Sequence, residues 1–268
     1  MSHNIPLTKS HLKYLVSLKR KKARESESRF FIEGSRLCRE AVDSSAHIKE
    51  IITSPELLSP ADYLVWQEKA ESLNLKLMVA TAKDFLSLCD TKTPQGIGAV
   101  VQKIPAGELK LQETTEELLL GLDEISDPGN LGTILRTAVW FGLGTIFMSR
   151  GCVDPYNSKV VRSSMGALFH LRLVRDTLWQ ESLPSLKKAG YRILAAFGYG
   201  GVPLQQVGKT GRDFVLFGGE ARGISPSAEP YCDVKVTVPP SGRGESLNVA
   251  VAAGIILNYL TNEQSPEK

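Results

Sequence analysis

The chain has 268 residues, of which 42% are apolar and 23% are charged, and its formal net charge is only +3. These values exclude a disordered or fibrous protein and predict two modest domains rather than one large core. The four cysteines lie far apart and lack the paired spacing of a zinc site, so we expect reduced thiols and no metal. Neither a signal peptide nor a membrane-spanning run is recognisable, which predicts a cytoplasmic protein without membrane association.

Positive charge is concentrated at the start of the chain. Residues 1–24 contain seven Lys and Arg and no acidic residue. Such a stretch attracts polyphosphate, because neutralised phosphates release condensed counterions. A solvated basic helix face explains the same pattern, and charge alone does not separate the two interpretations. The candidate RNA-binding residues are Lys19, Arg20, Lys21, Lys22 and Arg24.

Apolar periodicity predicts a small α/β domain over residues 1–105. The expected elements are an amphipathic helix over 11–22, a strand over 29–33, a helix through Ala41, a strand over Ile48–Thr53, a helix near 60–73, and strands near 76–80 and 96–102. Residues 106–117 are polar and lack a strand period. We therefore expect a linker there.

Strands and helices alternate through the second predicted domain, residues 118–268. The expected strands are Leu118–Asp123, Thr145–Ser149, Leu171–Val174, Arg192–Phe197, Phe214–Phe217 and Val234–Val238; the expected helices cover 130–141, 156–167, 178–189 and 246–260. This alternation predicts a mainly parallel sheet with helices on both faces. Ligands bind beyond the carboxyl ends of such strands, so the loops there are the candidate site.

The first of three unusual loops, Asp127–Gly132, leads into a helix that carries Arg136. Asn130 is a plausible helix cap. Arg136 is a single cation in an apolar helix, and a buried Arg needs an anionic partner. That partner is either an internal carboxylate, which composition favours, or a phosphate.

The second loop, Gly218–Ile224, follows the predicted strand Phe214–Phe217, and the third loop, Val238–Glu245, leads into the last predicted helix. Gly218, Gly219 and Gly223 would let the backbone approach a ligand closely, although a sharp turn explains them equally well. Ser246 would cap the last helix, whose free N–H groups could hold an anion, and Asn248 falls in its first turn. The simpler explanation is capping alone for Ser246 and a hydrogen-bonded helix-terminal amide for Asn248.

Taken together and in this order, the three loops resemble the motifs of the SpoU (TrmH) family within the SPOUT class of RNA methyltransferases. The matching stretches are Asp127–Gly132 with Arg136, Leu216–Glu220 and Ser246–Ala250, with a further family-like segment at Lys159–Phe169. Phe30–Leu37 and Asp90–Gly96 are similar to the smaller substrate-binding domain of many members. Ala221 departs from the family's usual glycine, and Pro240 from its frequent methionine.

The resemblance implies an α/β fold with a trefoil-knotted C-terminal domain and a smaller N-terminal RNA-binding domain. It implies S-adenosylmethionine as cofactor, ribose 2′-hydroxyl methylation, and a homodimer formed through the knotted domain. The two-domain layout favours ribosomal RNA over transfer RNA. The cofactor-binding residues would be Gly218, Gly219, Val238 and Leu247.

The catalytic residues implied by the resemblance are Arg136, Asn130, Glu220, Ser246 and Asn248. A guanidinium is not ordinarily deprotonated, so Arg136 would more easily stabilise the developing oxyanion or clamp a phosphate than act as a free base. Rival hypotheses are methylation of a base, a catalytically silent RNA-binding protein of the same fold, and, more remotely, a nucleotide enzyme lacking the usual phosphate loop.

Overall fold

The computed structural model describes residues 4–104, 111, 114–208, 210–243 and 246–262. The chain forms two compact units. The first combines Met1–Ile104 with Asp154–Phe169, and the second combines Pro105–Val153 with His170–Lys268. Most of the linker predicted over 106–117 lies outside the described residues. Among the described residues, none of the helices combines the length and the apolar character that a membrane span requires.

The first unit is built on a five-stranded mixed sheet. Its elements are β1 (Asn4–Pro6), α1 (Lys9–Ser17), α2 (Lys21–Glu27), β2 (Arg29–Glu33), α3 (Ser35–Asp43), β3 (Ile48–Thr53), α4 (Pro60–Ser72), β4 (Lys76–Val79), α5 (Ala82–Leu88) and β5 (Ile97–Gln102). The strand order is β1-β4-β3-β5-β2, with β5 antiparallel to β2 and β3. Leu15 and Leu18 are buried in the core of this unit with Ile52, Phe85 and Val100.

The single helix predicted over 11–22 is two helices, so that prediction is wrong. The carbonyls of Leu18 and Lys19 accept hydrogen bonds from Nη1 of Arg24, at 2.9 and 2.7 Å. Arg20 has extended backbone before α2 begins. A side chain that satisfies these carbonyls stabilises the break between the helices.

The second unit contains the predicted parallel sheet. Its elements are β6 (Leu118–Asp123), α6 (Pro128–Trp140), β7 (Thr145–Ser149), β8 (Arg172–Thr177), α8 (Trp179–Lys188), β9 (Arg192–Ala196), β10 (Val202–Pro203), β11 (Asp213–Gly218), β12 (Val234–Thr237) and α9 (Val249–Thr261), while α7 (Ser158–Ser164) belongs to the first unit. The seven strands are parallel in the order β10-β12-β9-β11-β6-β7-β8. Their carboxyl ends therefore meet at one edge.

The caps of the two helices at this edge differ from the predicted ones. Asp127, not Asn130, caps α6, and its side chain accepts from the backbone N–H of Asn130. Asn248, not Ser246, caps α9 and accepts from the N–H groups of Ala250 and Val251. Asp and Asn are both strong caps, and each lies where the backbone turns from extended to helical.

The segment Asp154–Phe169 was predicted within the second domain but groups with the first unit. The ring of Tyr156 lies 4.8 Å from that of Phe30 between centroids. α7 packs against β2. These contacts lie far apart in sequence, so local periodicity could not reveal them.

Candidate active site

The carboxyl ends of β9, β11 and β12 surround a cavity of about 380 Å³. Every predicted cofactor-binding residue lines it, together with the start of α9. The lining residues are Ala196, Phe197, Gly198, Phe217, Gly218, Gly219, Glu220, Gly223, Val238, Ser246, Leu247, Asn248, Val249, Ala252 and Ile256. Two of the three predicted loops therefore converge here, as the parallel sheet requires.

The loop after β11 is closed so tightly that only glycine fits at two positions. A Cβ on Gly218 would lie 2.1 Å from the carbonyl carbon of Gly223, and one on Gly219 would lie 2.6 Å from the Glu124 carbonyl oxygen. The N–H of Gly223 donates to the carbonyl of Gly219 at 2.8 Å. Positive φ falls on Gly223, at +66°, and not on Ala221. The family-atypical alanine therefore introduces no left-handed strain.

Three predicted polar residues form a hydrogen-bonded cluster at the cavity. Nδ2 of Asn248 donates to Oδ1 of Asn130 at 3.0 Å and to Oε1 of Glu220 at 3.3 Å. Asn130 Nδ2 donates to the same Glu220 oxygen. The cluster joins the starts of α6 and α9 to the β11 loop, so each side chain fixes the other two.

A buried carboxylate that the sequence analysis missed anchors the same loop. Asp123 ends β6 and is 1% exposed. Its Oδ1 accepts from Trp179 Nε1 at 2.7 Å, and its Oδ2 accepts from the backbone N–H of Ser225 at 2.8 Å. A carboxylate at the end of the apolar run Leu118–Asp123 was the available signal. Asp123 ties the end of the glycine loop to α8.

Arg136 does not join this cluster. It is exposed on α6 and does not line the cavity. No described side chain gives it an ion pair or hydrogen bond. The internal carboxylate partner favoured by composition is therefore wrong: the residue lies on the solvent face of a helix whose other face is apolar.

Of the five predicted RNA-binding residues, only some have side chains that are free to contact RNA. Arg20, Lys21 and Lys22 are exposed. Lys19 pairs with Asp90 at 3.1 Å and donates to the carbonyl of Cys89 at 2.9 Å.

Arg24 must be removed from the predicted RNA-binding set. It is 4% exposed, and its Nε and Nη2 donate to Oδ2 of Asp154 at 3.0 and 2.6 Å. Its Nη1 donates to two backbone carbonyls, so the guanidinium is held by hydrogen bonds inside the first unit. Position within a basic run did not reveal this burial.

The four cysteines are free thiols. Burial raises the pKa of Cys38 and Cys89, and it raises that of Cys232 to about 11. These thiols are therefore protonated at neutral pH and poor nucleophiles. No group of three or more potential metal ligands occurs among the described side chains.

The composition of the cavity fits S-adenosylmethionine. Its volume lies within the range of about 300–1,000 Å³ that is usual for small-molecule sites. Glu220 is the one charged residue among the described residues that line it, and glycine backbone and apolar side chains form the walls. A nucleoside without phosphates needs no cation, and a carboxylate suits the positive charge of a sulfonium compound.

Comparison with known proteins places the chain in a family. Residues 117–258 match the SpoU rRNA Methylase family, and residues 9–99 match the MRM3-like substrate binding domain. The chain belongs to the SpoU rRNA methylase family. This membership confirms the predicted α/β fold class apart from its knot, the enzyme class of RNA methyltransferase and the cofactor S-adenosylmethionine.

Relatives extend over nearly the whole chain. It is 33% identical over 240 residues to 23S rRNA (guanosine(2553)-2′-O)-methyltransferase RlmP of Bacillus subtilis, covering 90% of this chain and 91% of that protein. A TrmH-family structure from Porphyromonas gingivalis is 30% identical with a TM-score of 0.81, covering 95% and 98% of the two chains. An rRNA methyltransferase structure from Sinorhizobium meliloti is 25% identical with a TM-score of 0.82, covering 96% of each.

Proposed function

We propose that this chain methylates a ribose 2′-hydroxyl of ribosomal RNA. The observation that carries the proposal is a cavity whose described lining holds no cation, with the Asn130–Glu220–Asn248 cluster beside it. The related Bacillus subtilis protein is named as a 2′-O-methyltransferase of 23S rRNA. S-adenosylmethionine, when bound, supplies an electrophilic methyl group. Transfer of that methyl group to the ribose oxygen would release the cofactor as its neutral thioether, and the hydroxyl proton would pass to water.

Gly218, Gly219, Val238 and Leu247 would hold the cofactor. The two glycines leave backbone groups accessible, while Val238 and Leu247 supply apolar surface for adenosine. Ser246 lines the cavity without capping α9, so its hydroxyl is available to a ligand. Binding energy would come from backbone hydrogen bonds and apolar contact rather than from phosphate recognition.

Asn130, Glu220 and Asn248 would position the reacting groups. Their mutual hydrogen bonds hold the β11 loop against two helix starts before any substrate binds. Such preorganisation supports in-line attack, because positioning supplies a large share of the barrier reduction. Glu220 is exposed, so its carboxylate is accessible to substrate.

Arg136 would act on the RNA rather than on the cofactor. Its exposed guanidinium, which pairs with no side chain among the described residues, suits a bidentate contact with the phosphate next to the target ribose. From there it would stabilise the oxyanion that develops as the hydroxyl proton leaves. This role requires no deprotonation of the guanidinium.

A homodimer would complete the site by bringing Arg136 of one protomer to the cavity of the other. Apolar side chains are exposed on both helices that flank the cluster: Trp140 on α6 is 84% exposed, and Val251 and Ile255 on α9 are 51% and 39% exposed. Burial of this surface would favour association. Sedimentation of V251E should give a monomer if the dimer forms here. The trefoil knot and the cytoplasmic location stay predictions.

The decisive experiment maps ribose methylation across total RNA from cells with and without the protein. We expect one 2′-O-methyl group in ribosomal RNA to disappear with the protein and to return when purified protein and S-adenosylmethionine are added. Loss in transfer RNA alone would overturn the choice of substrate. Unchanged methylation, together with intact cofactor binding by calorimetry, would instead identify a catalytically silent RNA-binding protein.

A further inference from the structure

The first unit contains a second cavity, a cleft of about 280 Å³ where β2 ends and α3 begins. Its lining contains two guanidinium groups (Arg36 and Arg162), one carboxylate (Glu33) and two threonines (Thr91 and Thr93), while Leu37 and Met165 supply an apolar wall. The set combines anion-binding groups with a surface on which a base could lie. We refer to it as the α3 cleft.

Arg162 is held in place by carboxylates of the same unit. Its Nη1 lies 3.1 Å from Oε1 of Glu33 and 3.8 Å from Oδ2 of Asp90. Although burial opposes ionisation of Asp90, hydrogen bonds from Ser158 and Lys19 lower its pKa below the ordinary value. Lys19 and Arg162 are therefore balanced by two carboxylates, and Arg162 acts as a fixed, neutralised wall of the cleft.

Arg36 has no such balance. It is exposed, and no side chain in the described part of the molecule pairs with it. Arg39, three residues along α3, and Lys92, between the two threonines, are also exposed. Within the lining, Glu33 offsets Arg162, so the cleft keeps one positive charge in excess, that of Arg36.

The backbone around Arg36 is rigid. Oε1 of Gln95 accepts from the N–H of Ser35 at 2.8 Å, which fixes the 91–95 loop to the start of α3. A Cβ on Gly166 would lie 2.3 Å from Cγ of Glu40, so the turn after α7 packs closely against α3. Because the backbone around the α3 cleft is already fixed, binding does not have to pay the entropic cost of ordering it, and this favours affinity.

We propose that the α3 cleft binds a phosphodiester of the substrate RNA together with its nucleotide, with Arg36 as the phosphate ligand. This inference rests on the proposed function. A guanidinium fork matches phosphate oxygens, and threonine hydroxyls commonly add contacts to the RNA backbone. The apolar wall formed by Leu37 and Met165 would contact the nucleotide attached to that phosphodiester. The α3 cleft therefore adds RNA contacts from residues that follow the basic N-terminal run in the sequence.

The test compares full-length wild-type protein with R36Q, R36K and a matched control, K76Q. Lys76 is an exposed cation at the start of β4, opposite Glu50 in the backbone register of the sheet. The α3 cleft lies at the other end of the strands, where Glu33 ends β2 and Thr53 ends β3. Binding to protein-free ribosomal RNA is measured by filter retention over a series of salt concentrations.

We expect R36Q to weaken binding roughly tenfold at low salt. The slope of log affinity against log salt should fall by about 0.7 to 0.9, the value for one phosphate contact. R36K should retain most of the slope, because it keeps the charge, and K76Q should match wild type. Cofactor binding should be unchanged in all variants, which would separate lost RNA contact from misfolding.

Wild-type affinity and slope in R36Q would overturn the proposal, as would an equal loss in K76Q, which would mean diffuse attraction. An effect seen on ribosomal particles but not on naked RNA would assign the cleft to a protein partner and overturn it too. If R36Q binds normally while wild-type protein methylates ribosomal RNA, the cleft alone is wrong. If R36Q loses affinity but wild type leaves no ribose methyl group, the proposed function fails and the cleft survives.

Discussion

The side-chain amide of Asn248 donates a hydrogen bond to Oδ1 of Asn130 over 3.0 Å, across 118 positions of sequence. Asn130 lies in the first turn of α6, and Asn248 caps α9. One side chain therefore does two things: its oxygen satisfies the N–H groups of a helix start, and its nitrogen joins that start to another helix. The two roles can be separated by substitution.

Replacing Asn248 with Asp should weaken cofactor binding while preserving the fold. Aspartate keeps the cap of α9 but cannot donate to Asn130, and it brings a second carboxylate beside Glu220. We expect a roughly tenfold loss of S-adenosylmethionine affinity by calorimetry, the size of one lost hydrogen bond, and almost no change in thermal unfolding. N248A, which also removes the cap, should lose about 1 kcal/mol of stability. Wild-type affinity in N248D would mean that the cluster does not shape the cofactor site.

Replacing Asp123 with Asn should loosen the β11 loop. An amide can accept from only one side, so the N–H of either Trp179 or Ser225 loses its partner in a buried place. The free energy of unfolding should fall by about 1 to 3 kcal/mol. The KM for S-adenosylmethionine should rise more than kcat falls. S225A is the matched control, since it keeps the backbone donor; an equal KM increase there would contradict the role of Asp123.

Replacing Arg136 with Ala should abolish methylation and leave cofactor binding nearly intact, since the residue lies outside the lining of the cavity. Arg150 is the control, because its side chain is 80% exposed and its contact with Asp176 is long, at 3.9 Å. R150A should methylate like wild type. Undiminished turnover in R136A, measured with radiolabelled cofactor, would remove Arg136 from the mechanism.

Replacing Arg24 with Met should destabilise the protein by about 3 to 5 kcal/mol in urea unfolding, because it leaves the Asp154 carboxylate buried without its counter-charge, with only the N–H of Tyr156 as a donor. R24M/D154N should recover part of the loss. The salt dependence of RNA binding by the folded fraction should not change. A lower salt slope in R24M would mean that Arg24 reaches RNA after all.

Replacing Arg20, Lys21 and Lys22 together with Gln tests the exposed remainder of the basic run. If all three contact phosphate, the salt slope of RNA binding should fall by about 2 to 3. Stability should hardly change, because the three side chains are exposed. Deleting residues 1–24 would be a poorer test, since it removes the buried Leu15 and Leu18. An unchanged slope would leave these cations as a solvated helix face.

Periodicity predicted the longer strands well because burial on both faces leaves a continuous apolar run, but it missed the short strands β1 and β10. The bounds of β3, β6 and β7 were predicted to the residue. Helix starts were predicted less well. Ser246 and Asn248 both belong to residue types that favour the N-cap position. Asn248 is the cap in the structure, where its side chain also reaches Asn130 and Glu220.

Within the candidate site, the motifs identified the cavity lining but not its supports. The role of Asp123 depends on its hydrogen bonds with Trp179 and Ser225, which are distant in sequence and come close to it only in the folded protein. Arg24 looked like its basic neighbours because its partner, Asp154, is 130 positions away. Contacts of this range leave no local signal in one sequence.

The grouping of Asp154–Phe169 with the first unit limits how the protein can be divided. The chain changes unit after Ile104, after Val153 and after Phe169, so no single cut separates two complete halves. A fragment starting at residue 118 would expose the normally buried Val160 and Leu168 and leave Asp154 without Arg24. A soluble catalytic fragment would require redesign of this segment, whereas a fragment ending at residue 104 would lack one wall of the α3 cleft.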